Sequence, residues 1–460
     1  MAEYVEDPMP LSTAQLDRRR FLAAGVGSLS LPGLLELRAA QKAAKKRTAL
    51  ILLFCYGGLS HIDTYDPKPE APAEFRGPFA PIRTRSTGMT ISELLPRHAN
   101  LSDKFCLLRS LAHQGACHAN GPQHLMAGHF TPRQNFYPEH PDCLSIANYL
   151  RWESGRSIPN YIGMTTYGLE PGPVPALGPA YLGGKYAPFA VMGDPNRPKA
   201  RVGGLLDEDS DGRIRQRHQL VANLAREPQG PSANLMSEFQ QQAIDILSSP
   251  QARHAFDLDS EPPGLRDRYG RTSWGQHCLL ARKLVEAGVD LVTVTLAGSE
   301  AGGAGANWDD HAVNCDIFET LKKRSLNFDR CVSALIEDLY DRGLDKRVLV
   351  VVTGEFGRTP RISHAVGSTT KVNQPGRDHW PSAMSILFAG GGIAGGQVIG
   401  ATDRLGQEPA RGRVGPWDFI ATIYRHLGID AKSTFVPDTT RRPVAILGDG
   451  EPIRELVGSK

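Results

Sequence analysis

The sequence has no CxxC pair, no long basic block in its body and no internal repeat, and each absence removes a class of function. Its seven cysteines lie scattered at Cys55, Cys106, Cys117, Cys143, Cys278, Cys315 and Cys331. An odd count without zinc-finger spacing argues against a thiolate zinc site and against a full disulfide framework. Basic residues number 52 and acidic residues 49, a net charge of +3, so electrostatics marks no nucleic-acid footprint and names no partner. The apolar stretch from Ala23 to Leu37 is too short and too interrupted by Gly and Ser for a membrane-spanning helix.

What is present is a chain of 460 residues with 48 Gly and 34 Pro, long enough for one large α/β domain with insertions. Apolar runs alternate with polar loops, the texture of an enzyme rather than a fibre or repeat array. Residues 1–47 read as a leader. Asp17-Arg18-Arg19-Arg20-Phe21-Leu22 resembles a twin-arginine export signal, the apolar segment follows, and Lys42, Lys45, Lys46 and Arg47 close it off. Arg38-Ala39-Ala40 is a poor cleavage site, so the segment is either cut nearby or kept as an anchor. The expectation is use of the twin-arginine export machinery and a periplasmic or otherwise extracytoplasmic location.

From residue 48 to 460 the pattern predicts buried strands at Thr48–Tyr56, Cys106–Leu111, Val289–Ala297, Val348–Val352 and Met384–Ala389. Helices are expected at Leu94–Leu101, Asn120–Ala127, Asn234–Ala255, Ser273–Gly288, Ala312–Leu321, Leu326–Tyr340 and Val414–Leu427. An irregular insertion or cap is expected at about 158–230. Strand, loop, helix and strand again predict a three-layer α/β sandwich with a mostly parallel central sheet.

Ligands in such sheets bind beyond the carboxyl ends of the strands, and four strand ends here carry chemistry. After Thr353 come Glu355 and Arg358, and a polar loop returns with Asp378 and His379. After the first strand, Gly57 and Gly58 precede His61 and Asp63, which could bind metal or hold the loop. After the second strand, His113, His118, His124 and His129 fall close together, with Asn120 opening a helix between them. After the third, Asp309 and His311 are two apart, a spacing that brings both side chains to one side of an extended segment. Asp309 or Asp310 could equally cap the helix that follows.

GGLSHIDTYDPKP, WDDH, GEFGRTPRI and GRDHW, behind the twin-arginine leader, closely resemble the bacterial family called domain of unknown function 1501, abundant in planctomycetes and related to the alkaline phosphatase and sulfatase superfamily. The resemblance covers nearly the whole chain. It implies an alkaline phosphatase-like fold and a site of one or two metals at the strand ends. It also implies that Asp309, His311, Glu355, Asp378 and His379 hold a divalent ion, zinc or manganese before calcium. His118 would act as acid-base or covalent nucleophile, and Arg358 would clamp an anionic ester; His61, Asp63 and Asn120 are further candidates. The superfamily's first-strand aspartate would fall near Cys55 or Tyr56, no CxPSR formylglycine motif exists, and Phe356 stands where a histidine is expected. The expected activity is metal-dependent hydrolysis of sulfate or phosphate esters. The alternative is a non-catalytic surface protein of the same fold, recognising a sulfated glycan.

Overall fold

The computed structural model describes residues 47–153, 156–166, 174–196, 249–298 and 307–457. The expected leader, apart from Arg47, and most of the helix expected at Asn234–Ala255 lie outside them; Pro250–Phe256 is helical. By internal contacts the chain divides into residues 1–47 and 48–460, and the second unit is the fold described below.

Its main elements in chain order are β1 (Ala49–Phe54), β2 (Phe105–Leu111), α1 (Asn120–Ala127), α2 (Cys143–Leu150), β3 (Tyr161–Thr165) and β4 (Phe189–Met192). Then come α3 (Ser273–Glu286), β5 (Leu291–Thr295), α4 (Ile317–Asp341), β6 (Val348–Thr353), β7 (Met384–Gly390), β8 (Gln397–Ile399) and α5 (Pro416–Leu427). The eight strands form one sheet in the order β8-β2-β7-β6-β1-β5-β3-β4. Only β7 runs against its neighbours β2 and β6; the remaining pairings are parallel.

Strand periodicity divides the core between two layers. Val348, Val350 and Val352 of β6 join the cluster built with α3 and α4, while Leu349 and Val351 join the cluster built with α1, α2 and α5. Ala49, Ile51 and Leu53 against Leu50, Leu52 and Phe54 of β1 repeat the division. Each such side chain contributes about 1.5–3 kcal/mol on burial, which is why β-branched and leucine runs with no polar face form the sheet centre. The mostly parallel three-layer sandwich expected from the sequence is the observed architecture. Among the described residues, no helix is long and apolar enough to cross a membrane.

Three local readings change. The helices expected at Ala312–Leu321 and Leu326–Tyr340 are one 25-residue helix, α4. Its cap is Asp316, whose carboxylate accepts from the amides of Phe318 and Glu319 at 2.9 and 3.1 Å, so neither Asp309 nor Asp310 caps it. Two stretches of the region read as an irregular insertion, β3 and β4, extend the sheet at one edge. At five and four residues they are too short to reveal a period.

Because β7 is antiparallel, the segment that precedes it begins at the edge where β1, β2, β5 and β6 end. Five chain segments therefore meet at one edge of the sheet.

Replacing Asp316 by Ala is expected to cost about 0.5–2 kcal/mol. A urea midpoint equal to that of the parent would sink the assignment of Asp316 as the cap of α4.

Candidate metal centre

The centre of this edge is the carboxylate of Asp309. Its Oδ1 meets Nε2 of His311 and Nε2 of His379, each at 2.8 Å, and NH2 of Arg358 at 3.0 Å. Its Oδ2 lies 3.0 Å from Nε2 of His118. The three imidazoles come from the loop after β2, the loop after β5 and the segment before β7. Ligand atoms of His118, Asp309 and His379 all lie within 4.8 Å of one another.

Each histidine also has its Nδ1 engaged. His118 meets Glu355 Oε1 at 2.8 Å, His311 meets Asp378 Oδ1 at 2.8 Å, and His379 donates to the Ala116 carbonyl at 2.9 Å. All six ring nitrogens thus face an acceptor. A neutral imidazole has one N–H and can satisfy only one of its two acceptors. With Nδ1–H fixed by carboxylates and a carbonyl, each Nε2 presents a lone pair towards Asp309. That is the arrangement in which outer partners orient histidines that bind a metal. Either extra protons or one cation resolves the conflict of lone pairs facing a carboxylate.

The charge balance reflects it. Burial alone would favour a neutral Asp309, but hydrogen bonds from the three histidines and the Arg358 charge outweigh it and hold the carboxyl far below the usual carboxylate range. For His118, burial opposes protonation, yet its hydrogen bonds to Asp309 and Glu355 and their charges raise it to about 9. His311 is also raised, chiefly by its bond to Asp309, although burial and nearby Arg358 oppose this.

The WDDH loop is built by alternation. Trp308 points inward, stacking on Trp274 with ring centroids 5.9 Å apart and donating Nε1–H to the Leu296 carbonyl at 2.8 Å. Asp310 is buried in an ion pair with Arg324 at 2.6 Å. Asp309 and His311, the residues between and after, therefore turn to the site, as their spacing of two predicts.

Glu355 is fully buried, accepting from the Gly57 amide at 2.8 Å as well as from His118. It stands behind His118. Asp378 stands behind His311 and is largely exposed. Arg358 lies below Asp309 with its guanidinium bonded to the carbonyls of Gly57, Gly58, Trp308, Asp310 and Arg377. Those contacts and Asp309 occupy its donors, so its geometry braces three loops rather than receiving an anion. His61 is buried with Nε2 donating to the Gly406 carbonyl at 2.8 Å. Asp63 forms a buried pair with Arg377 at 2.8 and 3.2 Å, and Asn120 Oδ1 accepts from the Cys117 amide at 3.1 Å in the turn that carries His118.

Sequence reasoning missed Arg377, the Ala116 carbonyl and Arg324. Arg377 sits inside the GRDHW motif; a carbonyl has no sequence signal, and Arg324 reads as part of a polar break between two helices. Phe356 is fully buried and stacks on His379 with centroids 4.1 Å apart, forming an apolar wall where the resemblance implies a histidine. Two imidazole nitrogens and a carboxylate oxygen, with a third imidazole adjacent, fit zinc or manganese better than calcium, which takes oxygen ligands.

Gly57 has φ of 109°, and a Cβ there would lie 2.2 Å from the Asp309 amide nitrogen. Gly57→Ala is expected to destabilise by about 1–3 kcal/mol and to abolish zinc binding. Gly264→Ala, where nothing lies within 4 Å, serves as control. Isothermal titration with zinc checks it, and parental affinity in Gly57→Ala would contradict the close approach.

A second expectation concerns pH. His118 has its folded value raised from 6.5 to about 9, so in the metal-free protein its contribution to stability is complete below about pH 6.5 and is lost as pH rises through about 9. A metal must displace the proton on Nε2, so affinity should increase with pH over that window, by about tenfold per unit for each proton released. An affinity that stays flat from pH 6.5 to 9, corrected for buffer, would exclude His118 as a ligand.

No curated protein matches the chain. Among solved structures, the PsFucS1 sulfatase from Pseudoalteromonas sp. is 11% identical with a TM-score of 0.38, covering 87% of this chain and 71% of that one. A phosphonate monoester hydrolase from Silicibacter pomeroyi is 11% identical with a TM-score of 0.38, covering 90% and 77%. The alkaline phosphatase from the Antarctic bacterium TAB5 is 11% identical with a TM-score of 0.37, covering 84% and 100%. These are likenesses of fold at low identity. The family model described as protein of unknown function, DUF1501, matches residues 47–457, and the chain belongs to that family.

Proposed function

We propose that the protein is an exported, metal-dependent hydrolase of sulfate or phosphate esters. One observation carries this reading: three histidines with their Nδ1 atoms engaged direct Nε2 at a single carboxylate. His118, Asp309 and His379 would hold the ion, with His311 beside Asp309. A divalent ion supplies Lewis-acid polarisation of an ester oxygen and lowers the pKa of water.

The chain's own groups do the rest. Glu355, Asp378 and the Ala116 carbonyl keep the imidazoles oriented. Arg358 fixes Asp309 against the backbones of the neighbouring loops. His311, backed by the exposed carboxylate of Asp378, is placed to take a proton at Nε2 from an attacking water or return one to the leaving oxygen. Phe356 and Tyr56 close the inner wall against His118 and His379 and exclude water from that side. Without a formylglycine motif, direct attack by water is the simplest route.

One observation favours the non-catalytic alternative. Cys55, where the resemblance implies a hard-ligand aspartate, is fully buried, and desolvation, with Cys331 nearby, pushes its thiol well above the usual range. That position offers no ligand.

A panel of aryl sulfates and phosphates assayed with added zinc, manganese and calcium separates the two readings. The expected outcome is turnover that a chelator abolishes and that His379→Ala reduces by about 10²-fold or more. Purified protein without bound metal, and activity unchanged in His379→Ala, would end the hydrolase reading.

A further inference from the structure

Phe130, Phe136 and Tyr137 are 40%, 45% and 70% exposed, and Phe435 is the only other exposed Phe, Tyr or Trp among the described residues. All three lie in one irregular segment between α1 and α2. The segment is fastened in place. Gln123, buried in α1, donates through Nε2 to both the Ala119 and the Asn135 carbonyls at 2.9 Å, and its Oε1 accepts from the Glu139 amide at 3.4 Å. Asn135 Oδ1 accepts from the Tyr137 amide at 3.0 Å, closing a local turn. One nitrogen thus bonds the carbonyl next to His118 and the carbonyl next to Phe136, which ties the loop that carries the rings to the turn that carries His118. A second path agrees. Phe130 packs on His124 at 5.3 Å, His124 on His113 at 5.2 Å, and His113 donates to the Glu355 carbonyl at 2.7 Å.

Rings held outward forgo the stabilisation that burial would give, and three of them on one fastened loop mark a contact surface. Its chemistry narrows the occupant. Exposed Arg133, Gln134 and Glu139 are interleaved with the rings. A purely apolar partner, such as an acyl chain, would strip water from those groups without replacing their hydrogen bonds, which is costly. A sugar ring offers an apolar C–H face for the aromatics and hydroxyls, both donors and acceptors, for the polar side chains.

We infer that Phe130, Phe136 and Tyr137 form a sugar-binding platform that receives the carbohydrate portion of the substrate beside the metal centre. The link to the metal centre rests on the hydrolase reading; sugar binding by the platform does not.

The test is native affinity electrophoresis of the full chain through gels containing dextran, a mixed-linkage β-glucan, xylan or a galactan, with and without chelator. The expected result is retardation by at least one of these neutral polysaccharides that persists in chelator. Phe136→Ala combined with Tyr137→Ala should weaken it by about tenfold or more while zinc affinity stays at the parental value. If that double variant loses its circular dichroism signal, Tyr137→Ser alone takes its place and is expected to weaken retardation in the same direction. No retardation by any polysaccharide, retardation unchanged in the folded variant, or partition into phosphatidylcholine vesicles instead would each overturn the platform. Loss of zinc binding in the parent would end the hydrolase reading and leave the sugar measurement standing.

Discussion

Five backbone carbonyls and one carboxylate converge on the guanidinium of Arg358, and the geometry of the candidate metal centre depends on that convergence. The carbonyls belong to Gly57 and Gly58 after β1, to Trp308 and Asp310 after β5, and to Arg377 before β7. These loops leave the sheet independently, so no local interaction sets their spacing. A planar cation with five N–H donors can link them at once, and hydrogen bonds to a charged donor contribute about 1.5–3 kcal/mol each where a carbonyl would otherwise be buried unpaired. A lysine would not substitute, because its ammonium is a point charge without the fork geometry.

The same convergence explains the electrostatics. Arg358 and three imidazoles surround Asp309, so the carboxylate stays ionised although it is largely buried. Glu355 and Asp378 then balance the histidines from behind. Positive and negative groups alternate outward from Asp309, an order that orients each imidazole before any ligand arrives. Preorganisation of this kind lowers the entropy lost when a metal or substrate is ordered. The buried Asp63–Arg377 pair extends the order one layer deeper and fixes the strand return that carries Asp378 and His379.

Much of the fold is legible in the residues because apolar periodicity survives without neighbours. Val348–Val352 reads as a doubly covered strand and is one, and Ser273–Gly288 reads as a helix and is one within two residues. Short strands near the sheet edge such as β3 and β4 are not legible, since four or five residues between glycines and prolines fit a loop equally well. The break expected between Leu321 and Leu326 fails for another reason. Arg324 and Ser325 look polar in sequence, but both are buried, Arg324 against Asp310 and Trp308, so the polar step marks a contact rather than a helix end.

The sequence by itself determined the five long central strands, the residues at their carboxyl ends and the alternation that sends Asp309 and His311 to one side, because these follow from short-range geometry. It carried the chemistry of the site as a set of residue types. Only the tertiary structure decided which of them meet. Glu355 and Arg358 lie three residues apart, yet one stands behind His118 and the other ties three loops together beneath Asp309. That division depends on which backbone groups neighbouring strands bring within hydrogen-bond reach, and strand order is not written in any one segment. Phe356 became the wall behind His379 for the same reason: packing across the sheet edge, not local propensity, chose its neighbours.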